Sequence, residues 1–206
     1  MAYRIKKLYL LIFISVTMLA SCSDGHLNTP LVYDRNPQYT WGYAEFFGNY
    51  YANYGNKNSV LSISLYTDSL KINSLGNLTG YGQYLFLEDV FQTPTDTILQ
   101  AGTYTVNNSG LPFTVAPGRN VTVDGEVYPI GAYISYYELN SANSTMKLIS
   151  RGSFTVSYSG DIYSIACNFI TSDSLNLKGS FKATLPQVNQ STATQKLALR
   201  RRFVPL

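Results

Sequence analysis

Residues 152–171 read GSFTVSYSGDIYSIACNFIT, and this stretch decides the fold. In its first half, the apolar residues Phe154 and Val156 alternate with small polar residues. Successive side chains of a β-strand point to opposite faces, so this period predicts a strand with one buried face. The same period returns after Gly160, a residue typical of a tight reversal. The stretch therefore predicts two antiparallel strands joined as a hairpin.

The two-residue period extends along the chain on both sides of this hairpin. The apolar residues that follow it include Leu61, Ile63, Leu65, Leu177, Phe181, Ala183 and Leu185. Turn residues such as Asp124-Gly125 separate the runs, and no helical period appears between residues 38 and 185. These features predict one all-β domain of about nine to eleven antiparallel strands. A β-sandwich and an up-and-down β-barrel fit them equally well.

The first 21 residues have the features of a signal peptide. Three basic residues precede an apolar segment, residues 8–18, that is shorter than the roughly 20 residues needed to span a bilayer. The following Leu19-Ala20-Ser21-Cys22 resembles the lipobox of bacterial lipoproteins. That resemblance implies cleavage before Cys22 and lipid on the new terminal residue, which anchors the protein to a membrane.

The remaining chain divides by composition into three parts. Residues 22–37 are polar, contain prolines and lack a period, which predicts a lipid-bearing linker. Residues 38–185 form the predicted all-β domain, and residues 186–206 are predicted to be a basic C-terminal tail.

The charge of the chain argues against a nucleic-acid partner. The whole chain has 15 Lys and Arg against 12 Asp and Glu, but three basic residues lie in the signal segment and four lie in the last eleven residues. Residues 22–195 therefore contain 8 basic and 12 acidic residues. A body with a net charge of −4 is not expected to bind nucleic acid.

Neither cysteine is expected to form a disulfide within the mature chain. Cys22 carries the lipid, and Cys167 lies in an alternating apolar row with Ile165 and Phe169. That position predicts a buried core thiol, because a reactive thiolate needs a polar and basic environment.

The sequence predicts no catalytic residue, metal or cofactor. The only histidine, His26, lies in the linker, which removes a histidine-dependent triad and the usual imidazole metal sites from the domain. Two carboxylate pairs are candidates for glycoside hydrolysis, Asp124 with Glu126 and Glu88 with Asp89. The first pair is better explained by a turn, and the neighbours in the second should point to opposite faces of a strand. A non-enzymatic protein is therefore expected.

Aromatic residues are concentrated at the start of the domain. Those within residues 39–54 are Tyr39, Trp41, Tyr43, Phe46, Phe47, Tyr50, Tyr51 and Tyr54. Such a group can stack on sugar rings, but aromatic residues also simply fill the core and rim of a sheet. Trp41 and Tyr43 share one face of the predicted strand and are the candidate ligand-stacking residues.

Three segments resemble the Asp-Ser/Thr-apolar sequon of protein O-glycosylation in Bacteroidetes. They are Asp68-Ser69-Leu70, Asp96-Thr97-Ile98 and Asp173-Ser174-Leu175. The resemblance implies O-glycans on Ser69, Thr97 and Ser174. Asp-Ser and Asp-Thr also initiate turns, which leaves the structural alternative open.

Several segments resemble a group of single-domain all-β envelope lipoproteins of Bacteroidales whose function is uncharacterised. They read FFGNYYANYGNKNSVLSISLY, ILQAGTYTV, YPIGAYI and RGSFTVSYSGDIYSIACNFITSDSLNLKGSFKATL, and lie within residues 38–185. The resemblance implies lipid anchoring to the outer membrane. Ser23-Asp24-Gly25 lacks the acidic run of surface-export signals, so the periplasmic and surface faces both stay open.

Together these features predict a binding or interaction module, with glycans as the leading ligand class. The alternative is a structural or assembly subunit of a surface complex or a fimbria-like fibre. An aromatic pocket would favour the first role, and an unpaired edge strand or a long apolar groove would favour the second.

We expect Cys22→Ala to abolish acyl incorporation and to leave the precursor uncleaved, because the thioether cannot form without the Cys22 sulfur. Palmitate labelling of cells that produce the native and variant proteins measures both effects. Label retained by the variant would contradict lipidation at this cysteine.

Overall fold

The computed structural model describes residues 33–138 and 145–191. Within these ranges the chain forms fifteen strands and one 3-10 turn, Ala52–Tyr54. The strands are β1 Gln38–Tyr39, β2 Trp41–Gly48, β3 Ser59–Tyr66, β4 Leu70–Ile72, β5 Leu78–Gln92, β6 Gly102–Val106, β7 Thr114–Val115, β8 Arg119–Val123, β9 Glu126–Ile130, β10 Ala132–Glu138, β11 Thr145–Ser159, β12 Ile162–Thr171, β13 Asn176–Leu177, β14 Ser180–Thr184 and β15 Gln187–Asn189.

Thirteen strands form one mixed sheet, and β8 and β9 form a separate hairpin. Neighbours are antiparallel along the path β2, β3, β5, β10, β11, β12, β14. Three pairs are parallel, namely β1 with β14, β15 with β2, and β6 with β7.

The first and last segments of the sheet lie side by side. Only Thr40 separates β1 from β2, and only two residues separate β14 from β15. Because β1 pairs with β14 and β2 with β15, residues 38–48 run parallel to residues 180–189. The Ala44 backbone N–H donates to the Pro186 carbonyl at 2.9 Å between the two paired regions.

The predicted all-β class is confirmed, but the predicted architecture needs correction. The sheet is mixed and has thirteen strands, so it is neither a clean antiparallel β-sandwich nor an up-and-down β-barrel of nine to eleven strands. Alternation does not reveal strands of two or three residues such as β1, β7 and β13. Turn signals also relate only neighbours in sequence, so they cannot predict parallel pairing between the two ends of the domain.

The hairpin predicted for residues 152–171 is confirmed. Phe154 pairs with Cys167 across β11 and β12, and both side chains are buried. A two-residue turn of Gly160 and Asp161 joins these strands. Burial raises the pKa of the Cys167 thiol to about 12, so this group is a neutral core side chain.

Strand β3 is buried on both faces. Leu61, Ile63 and Leu65 are inaccessible on the core side. The opposite side carries Ser62 and Ser64, which are only 2% and 3% exposed. A strand in a single sheet reaches this burial only if something covers its outer face as well, and that cover forms the site described below.

The sheet continues beyond the predicted domain end at residue 185. Residues 187–189, assigned from the sequence to the basic tail, form β15. The Gln187 side chain accepts from the Leu99 N–H and donates to the Tyr163 hydroxyl, each at 2.7 Å. Residues 192–206 of the predicted tail lie outside the described residues.

We expect truncation after Leu185 to destabilise the protein, because it removes β15 and the two Gln187 hydrogen bonds. The truncation also removes the Pro186 carbonyl that accepts from the Ala44 N–H, so these three hydrogen bonds are lost. At about 1 kcal/mol per hydrogen bond the loss should be about 3 kcal/mol, or a fall in Tm of roughly 5–10 °C. A variant truncated after Ser191 is the control, and its Tm should equal that of the full chain. Equal melting temperatures for both truncations would show that β15 adds no stability.

Candidate functional site

A cleft of about 740 Å³ lies over the outer face of the sheet. Alternate residues of β2, β3 and β5 form its floor and walls, and the β8–β9 hairpin contributes residues on the other side. The strand register arranges the floor in three rows.

The middle row has a small residue at its centre. Ser64 of β3 pairs with Tyr43 of β2 on one side and with Phe86 of β5 on the other. Phe86 in turn pairs with Tyr133 of β10. Large aromatic side chains therefore flank the serine on both sides, with Tyr133 beyond Phe86, and the difference in size leaves a hollow.

The row toward β4 is formed by aromatic residues. Tyr66 pairs with Trp41 and with Tyr84. The Tyr66 ring lies 6.2 Å from the Tyr43 ring and 5.8 Å from the Tyr84 ring, measured between centroids. The Tyr84 ring continues to Tyr133 at 6.3 Å. These rings form a continuous aromatic wall along two sides of the hollow.

The third row carries the carboxylates. Ser62 pairs with Glu45 of β2, and its hydroxyl donates to a Glu45 carboxylate oxygen at 3.4 Å. On the β5 side a register shift places Glu88 in the lining. The Glu88 carboxylate accepts from the Gly131 N–H at 3.1 Å. The Glu45 and Glu88 carboxylates thus lie at the end of the cleft opposite the row of Tyr66 and Tyr84.

The Tyr66 hydroxyl is a neutral hydrogen-bonding group within this site. Burial raises its pKa above the ordinary value for tyrosine, and a hydrogen bond with Tyr43 adds to the shift. The hydroxyl therefore keeps its proton at neutral pH and is able to both donate and accept.

The β8–β9 hairpin supplies the apolar cover. Val121, Val123, Tyr128 and Ile130 line the cleft from this side. Asp124 and Gly125 form its turn with positive φ angles of 52° and 85°, as expected for an Asp-Gly hairpin. The glycosidase pair considered from the sequence, Asp124 with Glu126, therefore belongs to this turn region.

Gly131 fixes the base of the hairpin. Its φ is 76°, and a Cβ at this position would lie 2.2 Å from the Pro117 carbonyl oxygen. No other residue type permits this close approach without a backbone shift. The hairpin thus leaves the sheet at a position determined by glycine.

The structure separates the two predicted stacking residues. Tyr43 lines the cleft, whereas Trp41 lies outside the lining. The Trp41 ring stacks on Tyr66 at 4.1 Å with an interplanar angle of 10°, and its Nε1 donates to the Leu70 carbonyl at 2.7 Å. Trp41 therefore positions Tyr66. Gly42 between the two is buried, and a Cβ there would lie 2.4 Å from the Ser64 carbonyl oxygen.

The three candidate O-glycosylation residues are all exposed outside regular strands. Ser69, Thr97 and Ser174 lie in connecting segments. One of the neighbouring aspartates also acts in a turn, since Asp96 accepts from the Thr93 N–H at 3.2 Å. Exposure and turn formation are thus both present, and glycosylation stays a prediction.

The remaining residues singled out from the sequence have other roles or lie elsewhere. Glu88 lines the cleft, whereas Asp89 is buried and accepts from the Tyr51 hydroxyl at 2.7 Å, so these neighbours point to different environments as expected. Cys22 and His26 lie outside the described residues.

Most of the cleft could not be identified from the sequence. Tyr66, Tyr84, Phe86 and Tyr133 come from three strands that only the register brings together. One local signal is present in the sequence, because Ser62 and Ser64 alternate with apolar residues in a strand that ends at an aromatic residue, Tyr66. Small polar residues opposite a core face are compatible with a covered hollow.

Two kinds of feature are absent from the part of the chain that the structure describes, residues 33–138 and 145–191. No helix within it is both long and apolar enough to cross a bilayer. It also contains no cluster of three or more His, Cys, Asp or Glu residues able to hold a metal ion.

Comparison with protein-family profiles, curated proteins and solved structures finds no match to this chain.

We expect Trp41→Ala to cost about 2 kcal/mol of unfolding free energy, because it removes the stack on Tyr66 and the hydrogen bond to Leu70. This is more than the roughly 0.5 kcal/mol of an ordinary surface change and less than the roughly 3–5 kcal/mol typical of a core tryptophan. Urea denaturation measures it, with Trp41→Phe as a control that keeps a stacking ring. A loss below about 0.5 kcal/mol would contradict a positioning role.

Proposed function

We propose that this protein is a non-enzymatic glycan-binding module, carried at the cell envelope by a lipid on Cys22. The observation that best supports the proposal is the combination of aromatic walls and a hydroxyl-bearing floor in one cleft. The volume of about 740 Å³ lies within the range usual for small-ligand sites.

The chemistry of the lining suits a sugar ring. A pyranose has apolar C–H faces and hydroxyl groups around its edge, so it needs flat apolar partners and hydrogen-bonding partners together. Tyr43 and Phe86 offer ring surfaces on the two sides of Ser64, and Tyr84 offers another in the next row. The half-buried Tyr43 and Tyr84 hydroxyls and the Glu45 carboxylate offer donors and acceptors for sugar hydroxyls, and the buried Ser64 and Tyr66 hydroxyls lie beneath them. These groups lie on the neighbouring strands β2, β3 and β5 and line one cleft.

The alternative role as an assembly subunit receives less support from the geometry. Strand addition uses an unpaired sheet edge. Here the first and last segments of the sheet pair with each other, so the ends of the long strand path are already occupied. The polar floor and acidic end of the cleft also differ from the long apolar groove that a partner strand would need.

The binding proposal predicts that Tyr43→Ala weakens glycan binding about tenfold or more, because one stacking surface is lost. A glycan array with neutral, amino and acidic glycans identifies the ligand, and calorimetry then gives the Kd of each variant. Tyr43→Phe keeps the ring and should retain most of the affinity. Tyr158→Ala, an exposed tyrosine outside the cleft lining, is the control for general loss of aromatic surface.

Two results would count against this function. Native protein that binds no glycan on the array, or a Tyr43→Ala variant with native affinity and native melting temperature, would reject the cleft as a glycan site. Mass spectrometry of the glycan after long incubation tests the non-enzymatic part, since shorter fragments would indicate hydrolysis.

A further inference from the structure

The ionisable carboxylates of the cleft give its lining one sign of charge. Glu45 lines the cleft from β2 and Glu88 from β5. The described residues of the lining include no Lys, Arg or His. A concave site of this kind attracts cationic groups and repels anionic ones.

Glu45 is the best-defined of these groups. One carboxylate oxygen accepts from the Ser62 hydroxyl at 3.4 Å, and the other accepts from the Gln190 side-chain amide at 3.3 Å. The Gln190 backbone N–H in turn donates to the Phe46 carbonyl at 2.7 Å, which fixes this residue beside β2. Both side-chain donors are neutral, so they orient the Glu45 carboxylate without cancelling its charge.

The aromatic wall adds a second attraction for a cation. Tyr43 precedes Glu45 by two residues on the same face of β2, and both line the cleft. The face of a tyrosine ring carries negative electrostatic potential and attracts an ammonium group within about 6 Å. The half-covered site strengthens both interactions relative to open water, because fewer water molecules screen the charges.

We infer that the cleft selects a glycan with a free primary amino group, such as a hexosamine that is not acetylated. The inference rests on the proposed glycan-binding function and names its ligand class. A protonated amino group placed near Glu45 and the Tyr43 ring gains an ion pair and a cation–π contact. N-acetylation removes that positive charge, and a sugar acid places a negative charge beside the Glu45 carboxylate.

Paired oligosaccharides test this selectivity. Glucosamine and galactosamine oligomers are each compared with the N-acetylated oligomer of the same length and linkage, by calorimetry with full-length protein. Measurements at about pH 6 lie above the ordinary pKa range of carboxyl groups and below that of amines. We expect at least one free amine oligomer to bind about five- to tenfold more tightly than its acetylated partner. Raising the salt concentration should reduce this difference.

Glu45→Gln separates charge from shape. The variant keeps the size of the side chain, removes its charge and replaces one acceptor oxygen by a donor. The readout is therefore the ratio of the affinities for the amine and the acetylated oligomer, which should fall close to one whatever happens to the affinity for the acetylated oligomer itself. Asp161→Asn removes the same charge at the exposed β11–β12 turn, outside the cleft lining, and should keep the preference.

The outcomes distinguish the two proposals. Binding of acetylated or other neutral glycans without any gain from a free amine would overturn the amine inference and leave glycan binding intact. A preference that survives unchanged in Glu45→Gln, or that is lost equally in Asp161→Asn, would also overturn it. Absence of binding to every glycan tested would reject both proposals.

Discussion

The central strand β3 requires cover on both of its faces, and the arrangement of the site follows from this requirement. Its apolar side faces the core, where Leu61, Ile63 and Leu65 are fully buried. Its polar side is almost as inaccessible, although the burial of a hydroxyl costs folding free energy unless the hydroxyl is hydrogen-bonded. Larger side chains on β2 and β5, together with the β8–β9 hairpin, rise above the serines and enclose the space over them. The cleft forms because the small serine side chains of β3 lie between the larger side chains of β2 and β5.

The local features of the fold were predictable because they depend on neighbours in sequence. The alternation in residues 152–171 identifies a strand and its buried face, and Asp124-Gly125 identifies a turn. The pairing of Tyr66 with Tyr84, or of Phe86 with Tyr133, depends instead on contacts between distant segments. Alternation tells which residues of one strand share a face, but it does not tell what lies beside them.

Trp41 illustrates this limit in physical terms. From the sequence it was the natural candidate for ligand stacking, because it is the only tryptophan and shares a strand face with Tyr43. In the fold the neighbouring strand places Tyr66 against its ring, and the Leu70 carbonyl takes its N–H. Because the ring and the N–H of Trp41 both have partners within the protein, this residue supports the aromatic wall and holds Tyr66 in place. The exposed ring surface then comes from tyrosines, whose positions the sequence alone did not bring together.

The parallel pairing of residues 38–48 with residues 180–189 has a mechanical consequence. Tension applied between the two ends of the domain acts along these strands in opposite directions. The hydrogen bonds between them are then loaded in shear, so they must break together, whereas the bonds of a hairpin pulled open at its ends break one after another. Because the same segments also carry Tyr43 and Glu45 and fix Gln190, the cleft stays assembled for as long as this contact withstands the load.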